Sequence, residues 1–274
     1  MEEIATGRTP PDDRPRTAPD DPAPDGPART PGGDTARTPL SEAVFRPVRA
    51  GNAFEETVER LLQAIKLGVV DRGERLPPER ELAPLLGVSR VTLREAIRVL
   101  AQEGYVESRR GRAGGTFVTY RRPRPKRTDL RRALIAMGDD LHDTLTFRLA
   151  VETGAAQIAA STPLTAGRRA LLRARLDDLN AAGPDDYRRL DTLFHLTIAE
   201  LTGSPTLVAA CADARMRVTD LLNAIPVLDA NIAHAAAQHE AIAGAVLAGD
   251  PAAARRAVAE HLDGTAALLR GFLA

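Results

Sequence analysis

The sequence predicts a mainly α-helical protein, in which a three-helix module with one β-hairpin precedes an all-α bundle of six or seven helices. Two observations support this prediction. Between residues 74 and 118 the chain has two amphipathic helix patterns, a glycine turn and a short glycine-rich hairpin pattern. From Thr128 onward it is rich in Ala and Leu, and Pro and Gly stops divide it into helical segments without any alternating strand pattern.

The first 45 residues are predicted to be a disordered tail. They are crowded with Pro, Asp, Gly, Thr and Arg and contain very few large apolar residues. Glu2 and Glu3 make the start acidic and no apolar run follows, which argues against a secretory signal. No stretch is long enough to span a membrane, and the single Cys211 is compatible with a reducing compartment. We therefore expect a cytoplasmic protein.

The central feature of the first module is a turn between two helices. Gly87 tolerates a positive φ, and Ser89 offers a hydroxyl that can cap the second helix. In that helix the apolar residues recur at i, i+3, i+4 and i+7, namely Leu93, Ala96, Ile97 and Leu100. Arg90, Arg94 and Arg98 repeat every four residues on another face. Because three like charges in a row repel one another, this pattern favours an external polyanion as the partner.

A basic hairpin follows the second helix. The glycine-rich and arginine-rich residues 109–115 are flanked by β-like segments, which predicts a wing with a basic tip. We interpret residues 46–120 as a winged helix-turn-helix DNA-binding domain and residues 121–128, with two prolines and five positive charges, as the linker. Residues 46–128 hold 18 Lys and Arg against 10 Asp and Glu in a chain of zero net charge, so attraction to phosphate is concentrated there.

The helical domain, residues 129–274, contains a candidate metal site. Asp191 and His195 lie at i and i+4 on one face of a helix predicted from about residue 185 to residue 202. His239 lies on the next helix but one, and His261 lies on the last helix. One carboxylate and three neutral imidazoles suit a divalent ion, zinc first, with nickel or manganese as alternatives. The spacing alone leaves open that these are satisfied core histidines, which is the interpretation given to His142 and His234.

Two sets of motifs resemble a known family. The segments LPPERELAPLLGVSR, VTLREAIRVLAQEG and GGTFV resemble the winged helix-turn-helix of GntR-type bacterial transcription regulators. The segments FRLAVETGAAQIAA, LDTLFHLTIAELTGSP and QHEAIAGAVLAGDPAAARRAVAEHL resemble the helical ligand-binding FCD domain of the FadR-type branch, from about residue 130 to residue 273. Pro84 departs from the family pattern, and we expect a kink or a shortened helix there.

The resemblance implies residue roles. It implies that the residues facing a palindromic operator are Arg80, Arg90, Thr92, Arg94, Arg110, Gly111 and Arg112. Arg90 and Arg94 would read or flank guanines, whereas Arg80 and the wing would hold phosphates. It also implies that Asp191, His195, His239 and His261 together bind a metal ion, as in the metal-containing members of the branch.

The implied function is that of a homodimeric, effector-responsive regulator of transcription, a repressor released by a small organic acid. Arg148 is the candidate second clamp for the carboxylate effector, and an ion pair with Glu152 at i+4 is the competing interpretation. The alternatives are a metal-dependent hydrolase with an accessory DNA-binding module and a regulator that responds to fatty acyl-CoA. The sequence also leaves activation open as the outcome of effector binding.

Overall fold

The computed structural model describes residues 38–47, 52–111, 114–122, 140–224 and 229–271. These residues form ten α-helices and one two-stranded sheet, which confirms the predicted fold class, and six of the helices build the bundle. In chain order the elements are α1 Pro39–Val44, α2 Ala53–Lys66, α3 Glu79–Leu86, α4 Arg90–Gln102, β1 Val106–Arg109, β2 Gly115–Val118, α5 Asp140–Ser161, α6 Ala166–Asn180, α7 Tyr187–Leu201, α8 Pro205–Ala224, α9 Asp229–Ala248 and α10 Pro251–Gly271.

The turn between α3 and α4 forms as the sequence predicts. Gly87 follows α3 with a φ of 67°, a left-handed conformation that glycine adopts without a side-chain clash. The Ser89 hydroxyl caps α4 by accepting a hydrogen bond from the Thr92 backbone N–H at 3.0 Å. Pro84 lies inside α3, which ends two residues later and is only 8 residues long, in agreement with the expected shortening.

The wing is an antiparallel hairpin. Val106 pairs with Val118 and Arg109 with Gly115, so the basic tip lies at the far end of the two strands. The backbone N–H groups of Gly73 and Leu76 donate to carbonyl oxygens of β2, each at 2.8 Å. The segment before α3 therefore adds backbone support to the wing, a contact that the sequence pattern did not indicate.

A helix precedes the winged domain, which corrects the prediction that residues 1–45 are disordered throughout. The Thr38 hydroxyl accepts a hydrogen bond from the Ser41 N–H, and the Ser41 hydroxyl accepts one from the Thr38 N–H, each at 3.1 Å. Leu40, Val44 and Phe45 are buried in the apolar core. This short helix is stabilised by tertiary burial, which composition does not reveal. Residues 1–37 lie outside the described residues.

The six bundle helices enclose an apolar core around α7, which packs against α5, α6 and α8. Phe194, Ile198 and Leu201 of α7 are buried there, and small residues such as Ala156 and Ala254 let neighbouring helices approach closely. Cys211 on α8 is buried, where it packs as a small apolar residue. None of the helices in the described ranges is long and apolar enough to cross a membrane.

The winged domain and the bundle share one continuous apolar core, reinforced by polar contacts. Asp213 on α8 accepts hydrogen bonds from three side chains of the winged domain, Arg46 at 2.6 Å, Gln63 at 2.8 Å and Arg60 at 3.2 Å. Arg189 on α7 pairs with Asp71 at 3.2 Å. The bundle helices α7 and α8 thus hold the winged domain directly. Residues 123–128 of the predicted linker lie outside the described residues, and the domain limits stay a prediction.

Candidate metal centre and nucleic-acid interface

The four predicted metal ligands come together inside the bundle. Asp191 and His195 project from α7, His239 from α9 and His261 from α10, and their ligand atoms all lie within 4.8 Å of one another. The Oδ1 atom of Asp191 lies 3.2 Å from Nε2 of His239 and 3.9 Å from Nε2 of both His195 and His261. The three imidazoles are buried and Asp191 is half-buried. Three separate helices therefore bring one carboxylate and three imidazoles around a common point.

Unsatisfied ring nitrogens indicate that this cluster fits a metal ion. Among the described residues, Nε2 of His195 and both ring nitrogens of His239 are buried without an assigned hydrogen bond, although Nε2 of His239 lies 3.2 Å from Asp191. Each such buried group costs about 1–3 kcal/mol. Coordination of a divalent ion by Nε2 of His195 and one ring nitrogen of His239 would remove that cost for both atoms, and a set of three His and one Asp is chemically suited to it.

Two side chains outside the cluster orient two of its three histidines. Nδ1 of His195 lies 3.1 Å from a Glu152 carboxylate oxygen, and Nδ1 of His261 lies 3.1 Å from the Gln238 side-chain oxygen. Acceptors at these positions favour the tautomer with the proton on Nδ1, which leaves Nε2 of both rings as a lone-pair donor toward Asp191. Such outer partners are typical of histidines that bind metals.

Two buried arginines connect the outer partners to the cluster. Arg215 on α8 donates to Glu152 at 2.8 Å and to Asp191 at 3.0 Å. Arg148 on α5 donates to the other oxygen of Glu152 at 2.8 Å. Burial acts to raise the pKa of Glu152, but Arg215 and Arg148 outweigh it and hold the pKa well below its usual range. The sequence interpretation did not assign Glu152 or Arg215 to the site.

The same surroundings keep the ligands in the protonation states that metal binding needs. Burial acts to raise the pKa of Asp191, but its contacts with His239 and Arg215 hold the pKa well below the usual range. Burial and then Arg215 lower the pKa of His195 to about 4, and burial also lowers the pKa of His261. Near neutral pH the cluster therefore presents a carboxylate at Asp191 and neutral imidazoles at His195 and His261.

A cavity of about 290 Å³ adjoins the cluster. Asp191 and His261 form part of its wall, together with three arginines, Arg122, Arg148 and Arg188. The rest of the wall mixes hydroxyl and amide groups, among them Thr192 and Asn223, with aliphatic side chains. Arg148 pairs with Glu152, which confirms one interpretation given from the sequence, and it also lines the cavity, where its role as an effector clamp stays a prediction. The wall is cationic and suits an anionic molecule with further polar groups.

The predicted DNA-facing residues of the helix-turn-helix lie at its surface. Arg80 and Arg94 are exposed over 74% and 63% of their side chains, and Arg90 is exposed as well. The arginine row is partly neutralised within the protein, because Arg94 pairs with Glu79 at 2.7 Å and Arg98 with Glu95 at 3.2 Å. The inference that the row repels itself in the free protein is therefore wrong for two of its three members, since carboxylates from α3 and α4 lie beside them.

The remaining residues of this surface differ in their surroundings. Thr92 is half-buried at the start of α4, where its hydroxyl lies 2.8 Å from that of Ser89. Arg110 is exposed at the wing tip and Gly111 has a φ of 102°, whereas Arg112 lies outside the described residues. Val91 is 72% exposed at the N-terminal end of α4. The sequence analysis missed Val91, although an apolar residue between Arg90 and Thr92 on a solvent-facing helix end is a usable signal.

Comparison with known proteins gives two family matches. Residues 54–118 match the gntR family of bacterial regulatory proteins, and residues 143–264 match the FCD domain. The chain is 33% identical over 240 residues to RmpR of Mycobacterium gastri, named as an HTH-type transcriptional regulator, covering 82% of this chain and 83% of that protein. A protein of Escherichia coli (strain K12) named for regulation of the L-lactate dehydrogenase operon is 31% identical over 76% of this chain and 83% of its own length. The HTH-type transcriptional repressor NanR of Escherichia coli is 29% identical over 83% of this chain and 88% of its own length.

Proposed function

This chain belongs to the GntR family of DNA-binding transcriptional regulators with an FCD domain, and we propose that it is a homodimeric repressor released from its operator by a small carboxylate bound at a metal site. The observation that carries the proposal is the convergence of Asp191, His195, His239 and His261 beside a cavity whose wall includes Asp191, His261 and three arginines. The name of NanR supports repression. A regulator of chromosomal operators acts in the cytoplasm.

The four clustered residues would hold the ion, zinc first, with nickel or manganese as alternatives. A bound divalent ion supplies a Lewis acid to which a carboxylate can bind directly. Glu152 and Gln238 orient His195 and His261, while Arg215 balances the charge of Asp191. Arg148 and Arg188 attract the acid and offer it charge-assisted hydrogen bonds from the cavity wall. The polar wall favours a small acid with further polar groups over a long acyl chain.

The DNA-binding surface would work as a pair. In a homodimer formed through the helical domains, each α4 enters the major groove of one half of a palindromic operator. Arg90 and Arg94 suit guanine, since a guanidinium can donate two hydrogen bonds to its O6 and N7 atoms. Arg94 would leave Glu79 for the DNA, and the methyl groups of Val91 suit contact with a thymine methyl. Arg80, Thr92 and the wing residues Arg110, Gly111 and Arg112 would hold the backbone in register.

Metal analysis of the purified full-length protein tests the proposed metal site. We expect about one divalent ion per chain, as for a single site of this ligand number. The double variant His195→Ala/His239→Ala should lose the ion, while His142→Ala, an exposed histidine outside the cluster, should retain it. Full occupancy in the double variant would place the metal elsewhere and contradict the proposal.

Operator binding tests the output side. An operator selected by the wild-type protein from a random DNA library is titrated in fluorescence anisotropy. Arg90→Ala and Arg94→Ala should each weaken specific binding by about 1–3 kcal/mol, whereas Arg98→Ala, one turn further from the N-terminal end of α4, serves as the charge-matched control. Adding small acids to the metal-loaded wild type should release the DNA. Affinity in the first two variants equal to that of the control would contradict the assignment of the readers.

A further inference from the structure

Arg122 comes from a different part of the chain than the other residues of the cavity wall. It lies four residues after the end of β2, on the chain that leaves the winged domain, whereas the other wall residues in the described ranges belong to the bundle, from Arg148 onward. One side chain attached to the DNA-binding domain thus reaches the pocket of the helical domain. The sequence analysis had placed Arg122 in a basic linker.

Among the described residues, no carboxylate forms a salt bridge with Arg122. Burial is the largest influence that lowers the pKa of Arg122, and repulsion from Arg189 is the next. Asp71 and Asp186 act in the opposite direction, but the salt bridges that they form within the described residues are with Arg189, and the described residues offer the Arg122 guanidinium no hydrogen bond. A largely buried cation beside other cations and an open cavity is complementary to an anion entering that cavity.

The backbone just before Arg122 is hydrogen-bonded to the segment that follows α4. The N–H groups of Thr119 and Tyr120 both donate to the carbonyl oxygen of Tyr105, at 2.9 and 3.1 Å, and the Tyr105 and Tyr120 rings stack with centroids 5.2 Å apart. The Tyr105 N–H donates to Leu100 in the last turn of α4 at 2.9 Å. A displacement of Arg122 is therefore passed over two residues to the segment that ends α4.

The guanidinium of Arg122 also lies against the winged domain itself. A Cβ atom placed on Gly68, just after α2, would lie 3.3 Å from Nη2 of Arg122 and 2.4 Å from Cγ of Arg189. Gly68 has a φ of 75° and leaves room for both side chains. Arg122 thus occupies the junction of the pocket, α2 and α7.

We propose that Arg122 is both an effector contact and the coupling residue of this regulator: an acid bound in the cavity pairs with Arg122 and, through residues 119–122, changes the position of α4. The inference rests on the proposed function. A ligand shifts the balance between two arrangements only if its affinity for them differs. Arg122 supplies such a difference, because its distance from Arg148 and Arg188 depends on how the winged domain sits on the bundle.

The test compares Arg122→Gln with Arg121→Gln in the full-length, zinc-loaded protein. Arg121 is exposed, adjacent and equally charged, so its variant controls for the loss of one positive charge near DNA. Isothermal titration uses a fixed panel of acetate, L-lactate, L-malate, citrate and D-gluconate. For the panel acid that binds wild type most tightly, we expect Arg122→Gln to weaken binding about tenfold or more, as for loss of a charge-assisted hydrogen bond. Arg122→Lys, which keeps the charge, should fall between wild type and Arg122→Gln, and Arg121→Gln should match wild type.

The second measurement tests whether Arg122 couples acid binding to operator binding. By linkage, the ratio of operator affinities without and with saturating acid measures the coupling between the sites. This ratio should shrink toward one in Arg122→Gln and stay at the wild-type value in Arg121→Gln. Unchanged acid affinity in Arg122→Gln, an equal loss in Arg121→Gln, or full release of Arg122→Gln from DNA at saturating acid would overturn the inference and leave the proposed function standing. No acid response in the wild-type protein would overturn the proposed function, and the inference with it.

Discussion

Replacement of Arg215 by methionine should cost more stability in the metal-free protein than any surface substitution on the same helix. The Arg215 side chain is only 3% exposed and bridges two carboxylates, Glu152 at 2.8 Å and Asp191 at 3.0 Å. Methionine fills a similar length without the charge, so both carboxylates lose a buried partner. Glu152 keeps Arg148 and His195, whereas Asp191 keeps the imidazoles around it and the charge of Arg188. Breaking a buried pair in this way costs about 3–5 kcal/mol.

The same substitution should become less damaging when metal is bound. A divalent ion next to Asp191 replaces the lost positive charge for that carboxylate but not for Glu152, so roughly half of the loss should remain. The measurement is urea unfolding followed by circular dichroism, once with chelator and once with zinc. Arg217→Met, on the exposed side of α8 with its guanidinium 5.8 Å from the Phe147 ring, is the matched control and should lose less than about 1 kcal/mol.

Two results would refute the reasoning about Arg215. If Arg215→Met and Arg217→Met lose the same stability in chelator, the buried charge network contributes nothing that an exposed arginine does not. If zinc leaves the loss in Arg215→Met unchanged, Asp191 does not share its charge between the arginine and a bound metal ion.

The other predictions concern the domain junction and the DNA surface. In urea unfolding, Gly68→Ala should lose about 1–3 kcal/mol more stability than Gly73→Ala. Both glycines have positive φ, but of the two only Gly68 lies where an added Cβ would meet the Arg189 side chain. Equal losses would mean that the Arg189 side chain moves aside without cost. Burial raises the pKa of Tyr120 to about 12 from its ordinary 10.0, so the unfolded chain ionises first and the free energy of unfolding should fall between these pH values. Tyr120→Phe should reduce that slope, and an unchanged slope would contradict the burial of Tyr120 in solution. Val91→Ser should lower the preference for thymine at one base pair of the selected operator by roughly 1 kcal/mol. The measurement compares binding of the variant to operators with single base substitutions. Equal weakening on all of these operators would contradict a methyl contact.

Local patterns made the main elements predictable, and with them the shared helix face of Asp191 and His195, whereas the resemblance to the family added His239 and His261 to that pair. The turn depends on Gly87 and the Ser89 cap, whose effects act over three residues. Asp191 and His195 share a helix face because of helical geometry alone. For these residues the information needed lies within a few positions of the chain.

The remaining parts of the site depend on long-range contacts. Arg215 lies 24 residues from Asp191 and 63 from Glu152, and nothing in its own segment distinguishes it from an exposed helical arginine. Arg94 pairs with Glu79, which lies 15 residues earlier in the chain. The sequence pattern therefore suggested more repulsion within the arginine row than exists in the folded protein. Which of several arginines becomes buried is decided by how the helices pack, and periodicity carries no such information.

The two helices that hold the winged domain also hold the pocket. On α7, Arg189 faces the winged domain and Asp191 the cavity, and on α8 Asp213 and Arg215 divide in the same way. Residues two positions apart point to nearly opposite sides of a helix, so a roll of about 10° at a side-chain radius of about 6 Å moves both groups by about 1 Å in opposite directions. Changes that adapt α7 or α8 to a new effector will therefore also reset how firmly the winged domain is held. In this fold, the shape of the cavity and the hold on the winged domain are adjusted together.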